Sequence, residues 1–270
     1  MPTTADTLRL ALLNRFLKGE AKIPQMPEAA MRIRKLLDDP HTSLEQLTRV
    51  INGDPPLAAY LMQFSSTPLL RGNRACTSLR DLLGRLGTRQ LADLVLGFSL
   101  QHLFTSQDAA LQQAFRARWK HARERAAYCA VLAQHIGFSM DDAMLGGLLQ
   151  DIGSLPLLSE LEHWPDLPRD AESLHGLCEA LSGDVGALIL TRWQLPSAVI
   201  ECARLQGQLQ RSHEGAADLA DLVLLASALQ TADEFTEPLP SQLKLGLERP
   251  LAELRNELAD GLKLWKRLLA

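Results

Sequence analysis

The sequence predicts an all-α protein, and three observations carry that prediction. Apolar residues recur at helical spacing along nearly the whole chain. Gly, Pro and short capping residues stand where those periodic stretches end. No segment alternates apolar and polar residues with the β-branched enrichment that a strand needs. Composition agrees: of 270 residues, 46% are hydrophobic and 22% charged, a balance that builds a core and excludes disordered and fibrous classes.

The elements follow in order. Leu8, Leu12, Leu13, Phe16 and Leu17 share one helix face. Pro27 suits the first turn of a helix carrying Ala30, Ile33, Leu36 and Leu37, which stops at Asp38-Asp39-Pro40. Ser43 and Gln46 form a capping-box pair ahead of Leu47, Val50 and Ile51. Asn52-Gly53-Asp54-Pro55 breaks that helix, and Leu57, Leu61, Met62 and Phe64 form the next. Thr67 to Thr77 reads as a loop. Thr77, Gly87 and Thr88 punctuate two further helices. A long helix is expected from about Asp108 to Ile136, closed by Gly137, and Ser139 caps another through Leu149. Leu161 to Ser173 reads as a surface connection. Helices are expected at about 174–181, 184–193, 197–209 and 216–233, and a last one opens at Pro250. The loop-rich zone near Thr105–Ala109 is the expected boundary between an N-terminal helical lobe, residues 1–107, and a second lobe, residues 108–270.

A formal net charge of −4 gives no general attraction to nucleic acid. The four cysteines, Cys76, Cys129, Cys178 and Cys202, are widely spaced, as expected of free thiols in a reducing compartment. The first residues lack a basic start followed by an apolar run, and no window reaches the roughly 18 apolar residues of a membrane span. A cytoplasmic protein is expected. No Gly-rich phosphate loop, dinucleotide fingerprint or nucleophile elbow is present.

Two blocks of the first half resemble the HDOD family, helical output domains related to the HD metal-dependent phosphohydrolases. They are IPQMPEAAMRIRKLLDDPHTSLEQLTRVINGDPPLAAYLMQFSSTPLLRG, from Ile23 to Gly72, and CTSLRDLLGRLGTRQLADLVLGFSLQHLF, from Cys76 to Phe104. In the second half WKHARERAAYCAVLAQHIG, AMLGGLLQDIGSLPLL and GDVGALILTRWQLPSAVIECA are similar to the segments on which HD-type sites are built. The resemblance covers roughly residues 20–232 and implies a multi-helical fold, with an N-terminal helical lobe packed on an HD-like lobe.

In active HD enzymes a His, a His-Asp doublet and a later Asp hold a divalent metal. Imidazole and carboxylate ligands suit such an ion, and an open coordination position lets it activate water. Carried over residue by residue, the resemblance sets His121 at the first His and Gln150-Asp151 at the doublet, whose His has become Gln. Asp221 is the match for the final Asp. Ser182 stands where relatives carry a further His, and the later His positions near Leu205-Gln206 are also absent. An amide is a poorer ligand than imidazole, so no catalytic residue, bound metal or cofactor is expected, and the four residues His121, Gln150, Asp151 and Asp221 read as vestigial. Each also has a plain structural reading. His121 suits a hydrogen-bonded place at a lobe interface, Asp151 can cap or brace a helix turn, and Asp221 can pair with a nearby Arg or lie on the surface.

The resemblance together with the missing ligands implies a non-catalytic bacterial signal-transduction module that acts by binding a signalling protein, with no nucleic acid and no membrane as partner. The alternative is a residual metal-dependent phosphohydrolase using His121, Asp151 and Asp221. A third reading is a sensor holding a nucleotide or other small ligand between the lobes, along the basic run Arg116, Arg118, Lys120, His121, Arg123 and Arg125. Against that last reading, these positions point several ways around a helix, which suits a solvated surface.

Overall fold

The computed structural model describes residues 5–66, 76–103, 105–161, 163, 170–231, 235 and 237–269. Every regular element among them is helical. The chain divides into two compact units, Gln25–Leu103 and a larger one made of Met1–Pro24 with Phe104–Ala270.

In the smaller unit the helices are α2 (Glu28–Leu37), α3 (Leu44–Asn52), α4 (Pro55–Gln63), α5 (Leu79–Leu86) and α6 (Thr88–Leu100). Their ends follow local chemistry. Ser43 Oγ accepts from Gln46 N at 3.2 Å while Ser43 N donates to Gln46 Oε1 at 2.7 Å, the expected capping box. Asp54 caps α4 by accepting from Leu57 N, and two prolines fill the first turn, where no N–H is missed. Ser78, one residue after the Thr77 expected as punctuation, caps α5. Gly87, at φ 79, turns the chain directly into α6. Most of the loop expected over Thr67–Thr77 lies outside the described residues. Ile33, Ile51, Leu57, Leu61, Leu82, Leu91 and Leu94 make the core of this unit.

The larger unit is built around α7 (Ala109–Ile136), which opens at Asp108 and closes at Gly137 in the left-handed conformation, as expected. Around it run α1 (Ala5–Leu17), α8 (Met140–Leu149), α9 (Ser154–Leu161), α10 (Ala171–Arg192), α11 (Ser197–Arg204), α12 (Leu219–Gln230), α13 (Pro240–Lys244) and α14 (Leu251–Leu268). Helix α7 packs on α8, α12 and α14. The approach of α8 needs Gly147, where a Cβ would stand 2.6 Å from Cys129 Sγ and 3.1 Å from Ala126 Cα.

Three features depart from the sequence expectation. The segment before residue 25, expected in the N-terminal lobe, groups with the larger unit because Leu12 and Phe16 are buried there. Arg15 Nε donates to Glu160 Oε2 at 3.0 Å and Trp193 Nε1 to the Pro24 carbonyl at 3.1 Å, which tie the same segment down. Helix α9 forms where no helix is expected and ends at Leu161, the residue at which the expected connection begins. Helix α10 runs unbroken through the expected break at Ser182–Gly183, because Gly183 serves packing: a Cβ there would stand 2.9 Å from the Arg204 carbonyl oxygen.

Candidate functional site

Ala110, Ala114, Ala117, Arg118, His121 and Arg125 fall on one face of α7, at the spacing that keeps helical neighbours aligned. They form one wall of a cavity of about 560 Å³ that lies wholly within the larger unit. Asp151 lies at the base of the cavity, Leu174, His175, Cys178 and Glu179 of α10 face α7, and Ser227 and Gln230 of α12 close it.

Asp151 is the polar centre. The turn that carries it, residues 151–153, is pressed on α10 through Gly153, where a Cβ would stand 2.1 Å from Ser182 O and 2.5 Å from Gly186 N. That contact, open only to glycine, brings Ser182 to the carboxylate, and Ser182 Oγ donates to Asp151 Oδ1 at 2.6 Å. Arg118 Nη1 donates to Asp151 Oδ2 at 2.9 Å and to Glu179 Oε1 at 3.0 Å. The side chains of Arg118 and Asp151 are only 12% and 5% exposed, so this is a charge-assisted pair in a low dielectric. Arg118 Nη2 also meets His175 Nδ1 at 2.9 Å and the His175 carbonyl oxygen at 3.2 Å. Burial, the largest single influence, works against the charge on Arg118, but the acidic groups around it, Asp151 first and Glu179 with it, together outweigh burial and raise its basicity.

Arg125 is enclosed deeper along the same face. Its Nε donates to the Gly147 carbonyl at 2.7 Å. Burial lowers its basicity and Asp151 acts in the other direction. His121 is exposed at the rim, and burial of its ring with the nearby Arg125 charge holds the imidazole below its usual pKa, toward the neutral form. Burial pushes the Cys178 thiol up to about 12, so it is no nucleophile.

The sequence-expected residues are therefore partly gathered. His121 and Asp151 line one cavity, and Ser182 bonds directly to Asp151. Gln150 turns toward α12, where Ser227 Oγ lies 2.7 Å from its Oε1. Asp221 belongs elsewhere: it does not line the cavity. Arg211 Nη1 donates to its Oδ1 at 2.7 Å, His213 Nε2 lies 3.0 Å from its Oδ2, and Asp218 N donates to Oδ2 at 3.0 Å. Its plain reading as the partner of a nearby Arg holds. The α12 residue beside the doublet is Ser227, six positions on and about 9 Å further along the helix. Among the described residues, the one grouping of three candidate metal donors is His213, Asp218 and Asp221, and Arg211 already bridges both its carboxylates.

The basic run is divided by helical phase. Arg118, His121 and Arg125 line the cavity, Arg116 and Lys120 are exposed outside it, and Arg123 Nη1 donates to the Leu269 carbonyl. Sequence reasoning missed Glu179, His175 and Ser227 as site residues. His175 and Glu179 stand at i and i+4 on α10, a spacing that signals a shared face, but only the fold sets that face against Arg118.

The profile of the HDOD domain family matches residues 23–209. A curated relative is an uncharacterised protein of Treponema pallidum (strain Nichols), 23% identical over 221 residues. The match takes in 76% of this chain, which spans only 41% of that protein's length. Among solved structures, a Shewanella amazonensis SB2B protein provisionally named a metal-dependent phosphohydrolase superposes with a TM-score of 0.83 at 21% identity, covering 98% of this chain and 99% of its own. An HDOD domain protein of unknown function from Geobacter sulfurreducens gives 0.66 at 19% identity, covering 97% of both chains. A Marinobacter aquaeolei VT8 protein provisionally named for signal transduction gives 0.61 at 22% identity, covering 100% of this chain and 65% of its own. These structural likenesses speak for the fold. With the profile extending over most of the chain and the helical architecture in agreement, the chain belongs to the HDOD domain family.

Proposed function

We propose that this protein is a regulatory module that acts by binding and not by turnover, with a bacterial signalling protein as its partner. One observation carries the reading. Both carboxylate oxygens of Asp151 already accept hydrogen bonds, from Arg118 and from Ser182, so a guanidinium supplies the positive charge that a divalent ion would otherwise supply. The donor set does not fit a metal. Of the family positions, only His121 and Asp151 carry suitable donors at the cavity. Gln150 offers an amide held by Ser227, Ser182 a hydroxyl, and Asp221 lies in its own ion-pair network. Activation of water needs a firmly held ion with an open position, and these residues offer neither.

Family membership and the provisional signal-transduction name of the Marinobacter relative support a regulatory role. The cavity-facing cations are paired or buried, and with a net charge of −4 the chain offers no broad basic surface for nucleic acid. Calorimetric titration of the purified chain with Mn²⁺ and Fe²⁺, alongside phosphomonoester and phosphodiester hydrolysis assays, tests the reading. The expected result is no saturable metal binding and no turnover. Stoichiometric metal binding with hydrolysis, both lost in Asp151→Asn, would establish the residual phosphohydrolase instead.

A further inference from the structure

Among the described lining residues of the cavity, two buried side-chain atoms lack a hydrogen-bond partner. Arg125 is 7% exposed and lines the cavity, yet its Nη2 is buried without a hydrogen-bond partner. Gln206 lines it too. Its Nε2 donates to Glu179 Oε1 at 3.2 Å, and its Oε1 is buried without a partner. The amide cannot be turned to relieve this, because its oxygen would then face the Glu179 carboxylate. Gln150 differs. Ser227 Oγ has one proton and two acceptors in reach, Gln150 Oε1 and Val223 O. Turning the Gln150 amide lets its Nε2 donate to Ser227 while the hydroxyl donates to Val223, and only exchanges one unpartnered amide atom for the other. That atom lies outside the cavity lining, whereas Arg125 and Gln206 belong to it.

A buried, unpaired donor on a charged group costs more than one on a neutral group, and a wall that keeps one suits an external acceptor. Arg118 cannot be that anchor, since Asp151, Glu179 and His175 already engage it. The fixed charges on the wall cancel, Arg118 and Arg125 against Asp151 and Glu179. A single negative charge seated on Arg125 therefore disturbs the balance less than two would. Ala114, Ala117, Leu158, Leu174 and Leu209 give the rest of the lining an apolar character, and the volume falls in the range of small-molecule sites.

We infer that this cavity is a receptor site for a small organic monoanion that carries a hydrogen-bond donor. The oxyanion sits on Arg125, the N–H or O–H on Gln206 Oε1, and an apolar body lies along the Ala and Leu wall. This assignment rests on the reading of the site as one that binds without turning over, and it names the ligand class that the regulatory site takes.

The probe is 4-hydroxybenzoate, measured against the full chain by saturation-transfer NMR and calorimetry. Its uncharged counterpart 4-hydroxybenzamide and the more highly charged phenyl phosphate run in parallel. The expected result is saturable binding of the benzoate, roughly tenfold tighter than either comparison compound, as loss of one charge-assisted hydrogen bond implies. Arg125→Met should abolish that preference. Because Arg125 also holds the Gly147 carbonyl, His121→Trp provides a second arm: it places a ring in the cavity from an exposed rim position one helical turn away. A folded His121→Trp should lose the probe. No saturable binding of the benzoate overturns the inference. So does equal binding of the amide, tighter binding of the phosphate, or a folded His121→Trp that keeps the benzoate at full affinity. Metal uptake or hydrolysis, read separately, would overturn the regulatory reading, so the two failures are distinguishable.

Discussion

Replacing Arg118 by Met is the most informative single perturbation. It removes the donor to Asp151 at 2.9 Å, the donor to Glu179 at 3.0 Å and the contact with His175. Glu179 is half-exposed and regains water, but the Asp151 side chain is 5% exposed, and its charge is left facing only Ser182 and the more distant Arg125. Breaking a buried pair in this way costs about 3–5 kcal/mol, whereas an exposed pair is worth about 0–1 kcal/mol. Urea unfolding followed by tryptophan fluorescence measures it, since Trp119, Trp164, Trp193 and Trp265 all fall within the sequence of the larger unit. Arg118→Met should lower stability by several kcal/mol, and the apolar pair Arg118→Met with Asp151→Leu should recover most of that loss. A cost no greater than that of the exposed Arg116→Met would refute the argument that this guanidinium neutralises a buried carboxylate.

Other outcomes follow from the same geometry. Gly153→Ala puts a methyl group into backbone atoms of Ser182 and Gly186, and should cost roughly 1–3 kcal/mol by overpacking; wild-type stability in urea would contradict that contact. Gln150→His alone should gain no Mn²⁺ affinity by calorimetry, because Asp151 stays engaged by Arg118; a saturable gain would show an intact shell. Burial pushes Cys129 and Cys178 up to about 12 and raises Cys202 also. The native chain should then be alkylated by iodoacetamide at Cys76 well ahead of these three, as peptide mass spectrometry reads directly; equal labelling would mean the thiols are open. At Asp218, burial is the largest single influence and opposes ionisation, but the hydrogen bonds from Arg211 and from Asp221 N, with the Arg211 charge, together outweigh it and hold the carboxyl below its usual 3.8. A depressed carboxyl stabilises the fold above its unfolded pKa, and that stability is lost as pH falls through the folded value. The stability gap between wild type and Arg211→Gln should therefore shrink as pH drops below about 3.8, and a gap independent of pH would contradict the pairing.

Helix ends were the most legible feature of the chain. Ser43 with Gln46, Asp108, Gly137 and Ser139 act through side-chain and backbone chemistry that is local, so sequence alone locates them. The unbroken α10 was not legible, because Gly183 reads as a breaker until the Arg204 carbonyl is seen against it. Helix α9 was not legible either, because a short apolar run with Pro156 in its first turn shows no decisive period. At the site, the family pattern singled out His121 and Asp151 correctly as neighbours of one cavity. Asp221, also singled out by that pattern, lies outside the cavity and is held by Arg211 and His213. Arg118 was visible only as one charge in a basic run. Its role depends on a carboxylate 33 residues away, a separation that no local pattern encodes.

The most direct test of the central claim is the metal content of the chain purified without chelator from cells grown in Mn²⁺- and Fe²⁺-supplemented medium, measured by plasma mass spectrometry. The claim that Arg118 takes the place of an ion at Asp151 predicts metal far below stoichiometry in the wild type. Near-stoichiometric iron or manganese, retained through dialysis and lost in Asp151→Asn, would contradict it.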